Sequence, residues 1–186
     1  YLPGVRENGG QYTHAALWVV RAFAELGRHD LAARLLAMLS PVSHTSEPAR
    51  LATYRTEPYV IVADVYGEPP HVGRGGWSWY TGSAGWMLRV AIESVLGLQL
   101  VRGESLRIRP CTPADWREYR VRYRVPGSST TYAITARNPG GQPGPVLRAT
   151  LDGQPLAVQR GTAVVPIARD GGTHEVELEL GAAEPE

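Results

Sequence analysis

The fold is decided by residues 117–125, REYRVRYRV, in which arginines alternate with tyrosine and valine. Successive side chains of an extended chain point to opposite faces, so one face carries Tyr119, Val121, Tyr123 and Val125, and the other carries Arg120, Arg122 and Arg124. This period-two pattern predicts a half-buried antiparallel strand.

Short alternating segments of the same kind occur on both sides of this stretch, separated by glycine and proline. The Asp152-Gly153 pair predicts a tight hairpin turn. The other predicted strands are LRIR (106–109), TTYAITAR (130–137), VLRATL (146–151), TAVVPI (162–167) and HEVELEL (174–180). We therefore predict that residues 101–186 form an antiparallel β-sandwich domain.

Residues 1–100 have the pattern of helices instead. The stretch THAALWVVRAFAELG (13–27) predicts an amphipathic helix that ends at Gly27. Its expected core face consists of Ala16, Val19, Val20, Phe23 and Leu26. A second helix, LAARLLAML (31–39), follows with Asp30 as its N-cap.

The remaining predictions for this part alternate loops and helices. Residues 41–56 are polar and predict a long loop, and Pro58 can begin a short helix through residues 59–66. A third long helix is predicted from Thr81 to Gly97. The fold class is therefore α+β and multidomain, with an all-α toroid or bundle before the β-domain.

Composition excludes several classes of function. Lys and Arg number 19 against 18 Asp and Glu, a balance too even for a nucleic-acid groove or a membrane-surface patch. A single cysteine, Cys111, forms neither an internal disulfide nor a cysteine-based zinc site, which is compatible with the cytoplasm. No apolar run reaches the roughly 20 residues of a membrane span. The chain lacks an initiating Met, so we expect it to be part of a longer protein.

The first segment with the composition of a binding site is RENGGQYTH (6–14). Arg6 and Glu7 precede two glycines that let backbone amides approach a ligand, and His14 lies in the first turn of the following helix. A cap and turn with a solvated charge pair would use the same residues.

The second segment is PPHVGRGGWSWYTGSAGW (69–86). Trp77, Trp79 and Tyr80 lie beside several glycines and lead to Thr81 at a helix start. Aromatic faces stack on sugar rings, and a helix N-terminus favours an anion such as phosphate. The alternative is that the tryptophans fill core and the threonine only caps the helix.

Other polar residues carry weaker signals. His71 and Arg74 could line the same loop, whereas Glu57 is typical of a helix-start charge. His29, His44 and His174 show no metal-ligand spacing. The motifs of serine hydrolases, P-loop NTPases and zincins are missing from the sequence.

The segments RENGGQYTHAALW (6–18) and WSWYTGSAGW (77–86) resemble the family 94 glycoside phosphorylases. This group includes cellobiose, chitobiose and β-1,2-oligoglucan phosphorylases and the C-terminal region of cyclic β-1,2-glucan synthases. The resemblance continues through LRIRPCTPADWREYRVRYR (106–124), and EPYVIVADVY (57–66) is most similar to the β-1,2-glucan branch. It implies that residues 1–100 are the last helices of an (α/α)₆ barrel.

The resemblance also implies roles for individual residues. It makes His14 and Thr81 phosphate ligands, with the Gly82 amide nearby. It places Arg6 and Glu7 at the acceptor sugar. It also places Tyr1 near that sugar, and the stacking argument makes Trp79 a further expected substrate contact.

The implied reaction is an inverting phosphorolysis of a β-linked oligosaccharide that yields α-glucose 1-phosphate. An inverting hydrolase needs an acid and a base. A phosphorylase uses inorganic phosphate, already an anion, as co-substrate, so donors replace the base and no cofactor or metal is expected. The family's general acid is an Asp in the earlier half of the barrel. We therefore expect the chain to be inactive without that missing half-barrel.

Two other functions stay open at this stage. A hydrolase or transglycosylase on the same toroid would act without phosphate, and the β-domain could be a non-catalytic carbohydrate-binding module. Expected partners are the oligosaccharide and phosphate, without nucleic acid or membrane insertion, and relatives often form homodimers. The expected location is the cytoplasm, either in a soluble phosphorylase or in a cytoplasmic-facing domain of a membrane-bound synthase.

Overall fold

The computed structural model describes residues 1–182 of the 186-residue chain. Its contacts divide the chain into two compact units. The helical unit comprises Tyr1–Leu26 and Leu31–Ala91, and the β unit comprises Gly27–Asp30 and, within the described residues, 92–182. The mixed helix and strand composition agrees with the α+β fold class predicted from the sequence. Within the described residues, no helix combines the length and apolar character that crossing a bilayer requires.

Five α-helices lie in the first half of the chain. They are α1 (Thr13–Glu25), α2 (His29–Leu39), α3 (Pro41–Thr45), α4 (Pro48–Tyr54) and α5 (Thr81–Arg89). The predicted first, second and third long helices are confirmed. Asp30 lies inside the first turn of α2 rather than at its N-cap, where its carboxylate accepts a hydrogen bond from the Ala114 amide.

The core face of α1 differs from the predicted one. The buried residues are Thr13, Leu17, Val20 and Ala24, at the three- and four-residue spacing of one helix face. Val19 and Leu26 were predicted in the core, but they are 50% and 73% exposed. The helix is apolar around most of its circumference, so periodicity alone did not distinguish the buried side.

Two predictions between α2 and α5 were wrong. Residues 41–56 contain α3 and α4, and each of these helices has proline in its first turn, where the missing amide costs no hydrogen bond. Residues 59–66 form no helix; the segment is irregular until it ends in a two-residue strand, Asp64–Val65, and its residues Val60, Val62 and Ala63 are buried.

The third long helix changes its geometry near its end. After α5, Val90–Val95 forms a π-helical turn. The wider π-helical turn shifts the buried face, so Val90 and Val95 are buried whereas Ile92 is 38% exposed. The helix stops at Gly97, where φ is +72° and a Cβ atom would collide with the Arg109 backbone.

A small three-stranded antiparallel sheet organises the loops of the helical unit. Its strands are β1 (Gln11–Tyr12), β2 (Asp64–Val65) and β3 (Gly75–Gly76), in the order β1-β2-β3. The register pairs Tyr12 with Asp64 and Asp64 with Gly76. The sheet therefore brings the two segments with binding-site composition next to each other.

The β unit contains nine strands within the described residues. They are β4 (Leu98–Val101), β5 (Ser105–Ile108), β6 (Glu118–Arg124), β7 (Thr131–Arg137), β8 (Val146–Leu151), β9 (Gln154–Leu156), β10 (Val158–Gln159), β11 (Thr162–Pro166) and β12 (Thr173–Leu180). One sheet has the order β10-β11-β5-β4 and the other β6-β7-β12-β8-β9. Buried side chains of both sheets form one apolar core.

The strand predictions are confirmed with one difference. The alternation along β6 has the predicted period of two, with its tyrosines and valines packed toward the core. The Asp152-Gly153 turn joins β8 and β9, with both residues at positive φ. However, β7 and β12 run parallel, so the five-stranded sheet is mixed rather than antiparallel throughout.

The side chains of Tyr132 and His174 connect separate segments of the β unit. The hydroxyl of Tyr132, which is 1% exposed, accepts the Ala168 amide at 2.7 Å and donates to the Pro166 carbonyl at 2.8 Å. His174 stacks on the same tyrosine ring, with its Nδ1 at 2.7 Å from Asp152. Its Nε2 lies 3.2 Å from an Asp170 carboxylate oxygen.

Candidate functional site

Arg6 lies at the centre of an aromatic cluster in the helical unit. Its backbone has a φ of +47°, which is rare for a residue with a side chain. Its guanidinium carbon lies 4.9–5.9 Å from four ring centroids, within the range of cation–π attraction. The rings belong to Tyr1, Tyr12, Trp77 and Tyr80. This Arg6 cluster joins both predicted segments.

A buried carboxylate anchors the Arg6 cluster. Asp64 is 2% exposed, and its Oδ2 accepts the Arg6 backbone amide at 2.7 Å. A Cβ atom on the facing Gly76 would come within 2.6 Å of Asp64 Oδ1 and would collide with the Tyr66 ring. The site thus requires glycine at this position. Sequence reasoning missed Asp64; the only signal was one acid inside the apolar run VIVADV.

His14 lies beside the start of α5. Its Nδ1 is 3.8 Å from the place that a Cβ on Gly82 would occupy. The imidazole is enclosed by Trp18 and Trp86, whose ring centroids lie 5.0 and 5.8 Å away. Its Nε2 is buried, and it has no hydrogen-bond partner within residues 1–182. The structure therefore brings together His14 and Gly82, two of the predicted phosphate ligands.

The first turn of α5 offers donors next to His14. Tyr80 is the N-cap and makes no side-chain cap, and the first amides of any helix lack intrahelical acceptors. Thr81 and Gly82 are exposed. Ser83 is completely buried, and its hydroxyl lacks a partner among the described residues. A helix N-terminus of this kind favours an anion, since it carries positive partial charge.

The two parts of the site are connected through Tyr12. Its ring contacts the Arg6 guanidinium and lies 6.1 Å from the His14 ring. A hydrogen bond to Tyr80 raises the pKa of Tyr12, and desolvation raises it further. The Tyr12 phenol thus stays a neutral hydrogen-bonding group between the Arg6 cluster and the start of α5.

Trp79 belongs to a separate pair. It is 65% exposed, and its φ of +62° is again unusual. Its indole N–H donates to Glu57 Oε1 at 3.1 Å, and Tyr59 approaches its ring edge-on at 6.0 Å. Hydrogen bonds from the backbone of Glu57 and from Trp79 lower the pKa of Glu57. The interpretation of Glu57 as a helix-start charge was wrong, because no helix begins there.

The other predicted residues lie next to Arg6, and the prediction left out several members of the Arg6 cluster. Tyr1 accepts a hydrogen bond from the Arg6 guanidinium at 2.9 Å, and Glu7 is exposed in the adjoining turn. Trp77, which sequence reasoning placed on the sugar-stacking segment but not among the site residues, is part of the Arg6 cluster and is 71% exposed. Among residues 1–182, no three or more His, Cys, Asp and Glu side chains are grouped to hold a metal ion.

Comparison with known proteins identifies the family. Residues 1–97 match the glycosyl hydrolase 94 superfamily, catalytic domain. The chain belongs to this superfamily. Its candidate site residues, from Tyr1 to Gly82, all lie inside the matched segment.

Individual members of the glycosyl hydrolase 94 superfamily differ in how similar they are to this chain. The cyclic β-(1,2)-glucan synthase of Rhizobium meliloti is 50% identical over 143 residues, which are 77% of this chain and 5% of that protein. The solabiose phosphorylase of Paenibacillus borealis is 33% identical over 97% of this chain and 22% of its own length. The N,N'-diacetylchitobiose phosphorylase of Vibrio proteolyticus is 31% identical over 96% of this chain and 21% of its own. The chain thus spans about a fifth or less of these relatives.

Proposed function

We propose that this chain carries the phosphate-binding and acceptor-binding part of an inverting β-glucoside phosphorylase. The enzyme would cleave a β-1,2-linked glucan with inorganic phosphate and release α-glucose 1-phosphate. The observation that carries the proposal is the position of the His14 imidazole beside Gly82, at the N-terminus of α5. It supports an anion site that the Tyr12 ring connects to the Arg6 cluster.

Phosphate binding follows from the donors at this position. The His14 ring has one nitrogen at Gly82 and one buried nitrogen without a partner, and an unpaired buried polar atom is costly. In the proposed complex, His14, the Thr81 hydroxyl and the first amides of α5 surround the phosphate oxygens. Because the phosphate is held with one oxygen facing the sugar, much of the entropic cost of bringing the nucleophile to the anomeric carbon is met on binding.

The proposed chemistry is a single displacement with inversion. A phosphate oxygen forms the new bond to the anomeric carbon while the bond to the glycosidic oxygen breaks. A general acid must protonate the departing oxygen, and the family resemblance implies an Asp from the earlier part of the barrel. We therefore propose that the residues of this chain bind and orient the reactants, and that the isolated chain does not turn over substrate.

The acceptor sugar is assigned to the Arg6 cluster. Arg6 and Tyr1 supply donors and acceptors for sugar hydroxyls, Glu7 adds an exposed carboxylate, and the exposed faces of Trp77 and Trp79 suit the apolar side of a pyranose ring. The β-1,2 linkage is proposed because identity to the cyclic β-(1,2)-glucan synthase is 50%, compared with 33% to the solabiose phosphorylase.

We propose that the chain has the domain organisation that the family resemblance implies. Residues 1–100 would be the last helices of an (α/α)₆ barrel, and residues 101–186 the C-terminal β-sandwich. The proposed setting is the cytoplasm or the cytoplasmic face of a membrane-bound synthase, and the proposed assembly is a homodimer of the full-length enzyme.

The decisive experiment uses the full-length enzyme with β-1,2-gluco-oligosaccharides. With phosphate we expect α-glucose 1-phosphate, identified by its anomeric proton coupling, and without phosphate no cleavage. His14→Ala and Thr81→Ala should each raise the KM for phosphate by about tenfold or more and change the KM for the oligosaccharide by less than about threefold. His44→Ala is the matched control, because this imidazole stacks on Tyr54 outside the site. Phosphate-independent cleavage would identify a hydrolase or transglycosylase and overturn the proposal.

A further inference from the structure

A cleft of about 440 Å³ on the helical unit has no role in the proposed reaction. It is lined at one side by the end of α4 and at the other by residues 70–74. Three of its lining side chains are basic, namely Arg55, His71 and Arg74, and none is acidic. Arginine and histidine without a carboxylate among them form an environment that favours an anion.

Arg55 is held in place by its own backbone and side chain. It caps the C-terminus of α4 in the left-handed conformation, with φ of 57°, a position where glycine is preferred. Its amide donates to the Leu51 carbonyl and its Nε to the Ala52 carbonyl, both at 3.0 Å. These two bonds satisfy carbonyls at the negative end of the helix and leave the two terminal nitrogens of the guanidinium as donors for a ligand.

The opposite wall is a preformed loop. The Arg74 amide donates to the His71 carbonyl at 3.0 Å, and the Tyr66 amide donates to the Arg74 carbonyl at 2.8 Å. Gly73 has φ of +83° and passes so close to Thr53 that a Cβ atom there would lie 2.9 Å from its methyl group. The loop is therefore shaped before any ligand arrives, which lowers the entropic cost of binding.

We infer that this cleft binds a phosphate group through Arg55, Arg74 and His71, at a place separate from the His14 site. A guanidinium matches the geometry of a phosphate with two parallel hydrogen bonds, and two arginines from opposite walls neutralise a dianion. The backbone strain of Arg55 is consistent with a need for its side chain, since glycine would relieve the strain but lose the charge. The inference does not depend on the proposed phosphorolysis.

The test is a titration of the chain with inorganic phosphate, and separately with glucose 1-phosphate, followed by ¹H–¹⁵N NMR spectra. A His14→Ala background removes binding at the other site. We expect saturable shifts of the amides of residues 71–74 with at least one of the two ligands. Tighter binding of glucose 1-phosphate would identify a sugar phosphate as the ligand, and equal binding would identify the phosphate group alone; both results support the site.

Four variants distinguish this site from diffuse positive charge. Arg55→Gln and Arg74→Gln should each weaken binding by about tenfold or more, whereas Arg34→Gln, an exposed arginine of α2 outside the cleft, should change it by less than about twofold. Arg55→Gly should weaken binding at least as much as Arg55→Gln while the chain remains folded, because glycine accepts the left-handed backbone. Equal losses in all variants, or unmoved amides at residues 71–74, would overturn the inference.

Discussion

Removal of the Asp64 carboxylate tests the organisation of the candidate site. The hydrogen bond from the Arg6 amide to Asp64 Oδ2 is 2.7 Å long and partly buried, and Asp64 itself is 2% exposed. A hydrogen bond to a charged group contributes about 1.5–3 kcal/mol, and it also offsets the roughly 1 kcal/mol or more of strain from the positive φ of Arg6. We therefore expect Asp64→Ala to lower the free energy of unfolding by about 2–3 kcal/mol.

The same change should move Arg6 away from its aromatic cluster. With the anchor lost, the Arg6 backbone relaxes toward negative φ, and its guanidinium leaves the four rings. In the full-length enzyme, the KM for the acceptor should rise by about tenfold while the KM for phosphate changes by less than about twofold. Asp64→Asn retains an acceptor oxygen and should lose about half as much stability.

The assays are urea denaturation of the chain and steady-state kinetics of the full-length enzyme. Asp115→Ala, at an exposed aspartate of the β unit, is the control for loss of one negative charge. If Asp64→Ala unfolds within about 0.5 kcal/mol of the unmodified chain and leaves the acceptor KM unchanged, the reasoning about the anchor is refuted.

Other predictions concern single contacts. Glu57→Ala should alter the near-UV circular dichroism of Trp79 and weaken glycan binding by about threefold or more. Glu57→Gln keeps an acceptor for the indole N–H and should behave as the unmodified protein. Equal effects of the two substitutions would contradict a role for this hydrogen bond. Tyr132→Phe removes a buried hydroxyl with two backbone partners and should cost about 1–3 kcal/mol in urea denaturation, and a change below about 0.5 kcal/mol would show that water replaces it. Hydrogen bonding to Asp152 raises the pKa of His174 above its ordinary value of 6.5, so its contribution to stability is full below that pH and declines as the pH rises through the raised pKa. Unfolding measured from pH 5 to 9 should show this decline, and His174→Gln should remove it.

The sequence predicted long regular elements well and short ones poorly. Helix α1 and strand β6 were evident because each repeats its period several times. Helices α3 and α4 were missed because they are short and lie in a polar segment, residues 41–56, that was interpreted as a long loop. The parallel pairing of β7 with β12 depends on contacts between distant parts of the chain, and no local pattern encodes it.

The sequence motifs predicted which segments form the candidate site, but not all of the residues in it. His14 and Gly82 were expected near each other, and the structure places them so. Asp64 and the Trp79–Glu57 bond were not anticipated, since both act across turns of the small sheet rather than along one element. An acidic residue inside an apolar run is the signal that would have identified Asp64.

The two units differ in where residues other than glycine adopt positive φ. In the β unit, residues with positive φ other than glycine precede a glycine in a hairpin turn, where such conformations are ordinary; they are Arg102, Asp152 and Arg160. In the helical unit, by contrast, three residues besides Arg55 adopt positive φ at positions where glycine would cost less, namely Arg6, Trp77 and Trp79. Their side chains form the Arg6 cluster and the exposed aromatic surface. Backbone strain persists only where the surrounding structure holds it, as Asp64 holds Arg6, and its location here is consistent with the proposed ligand site.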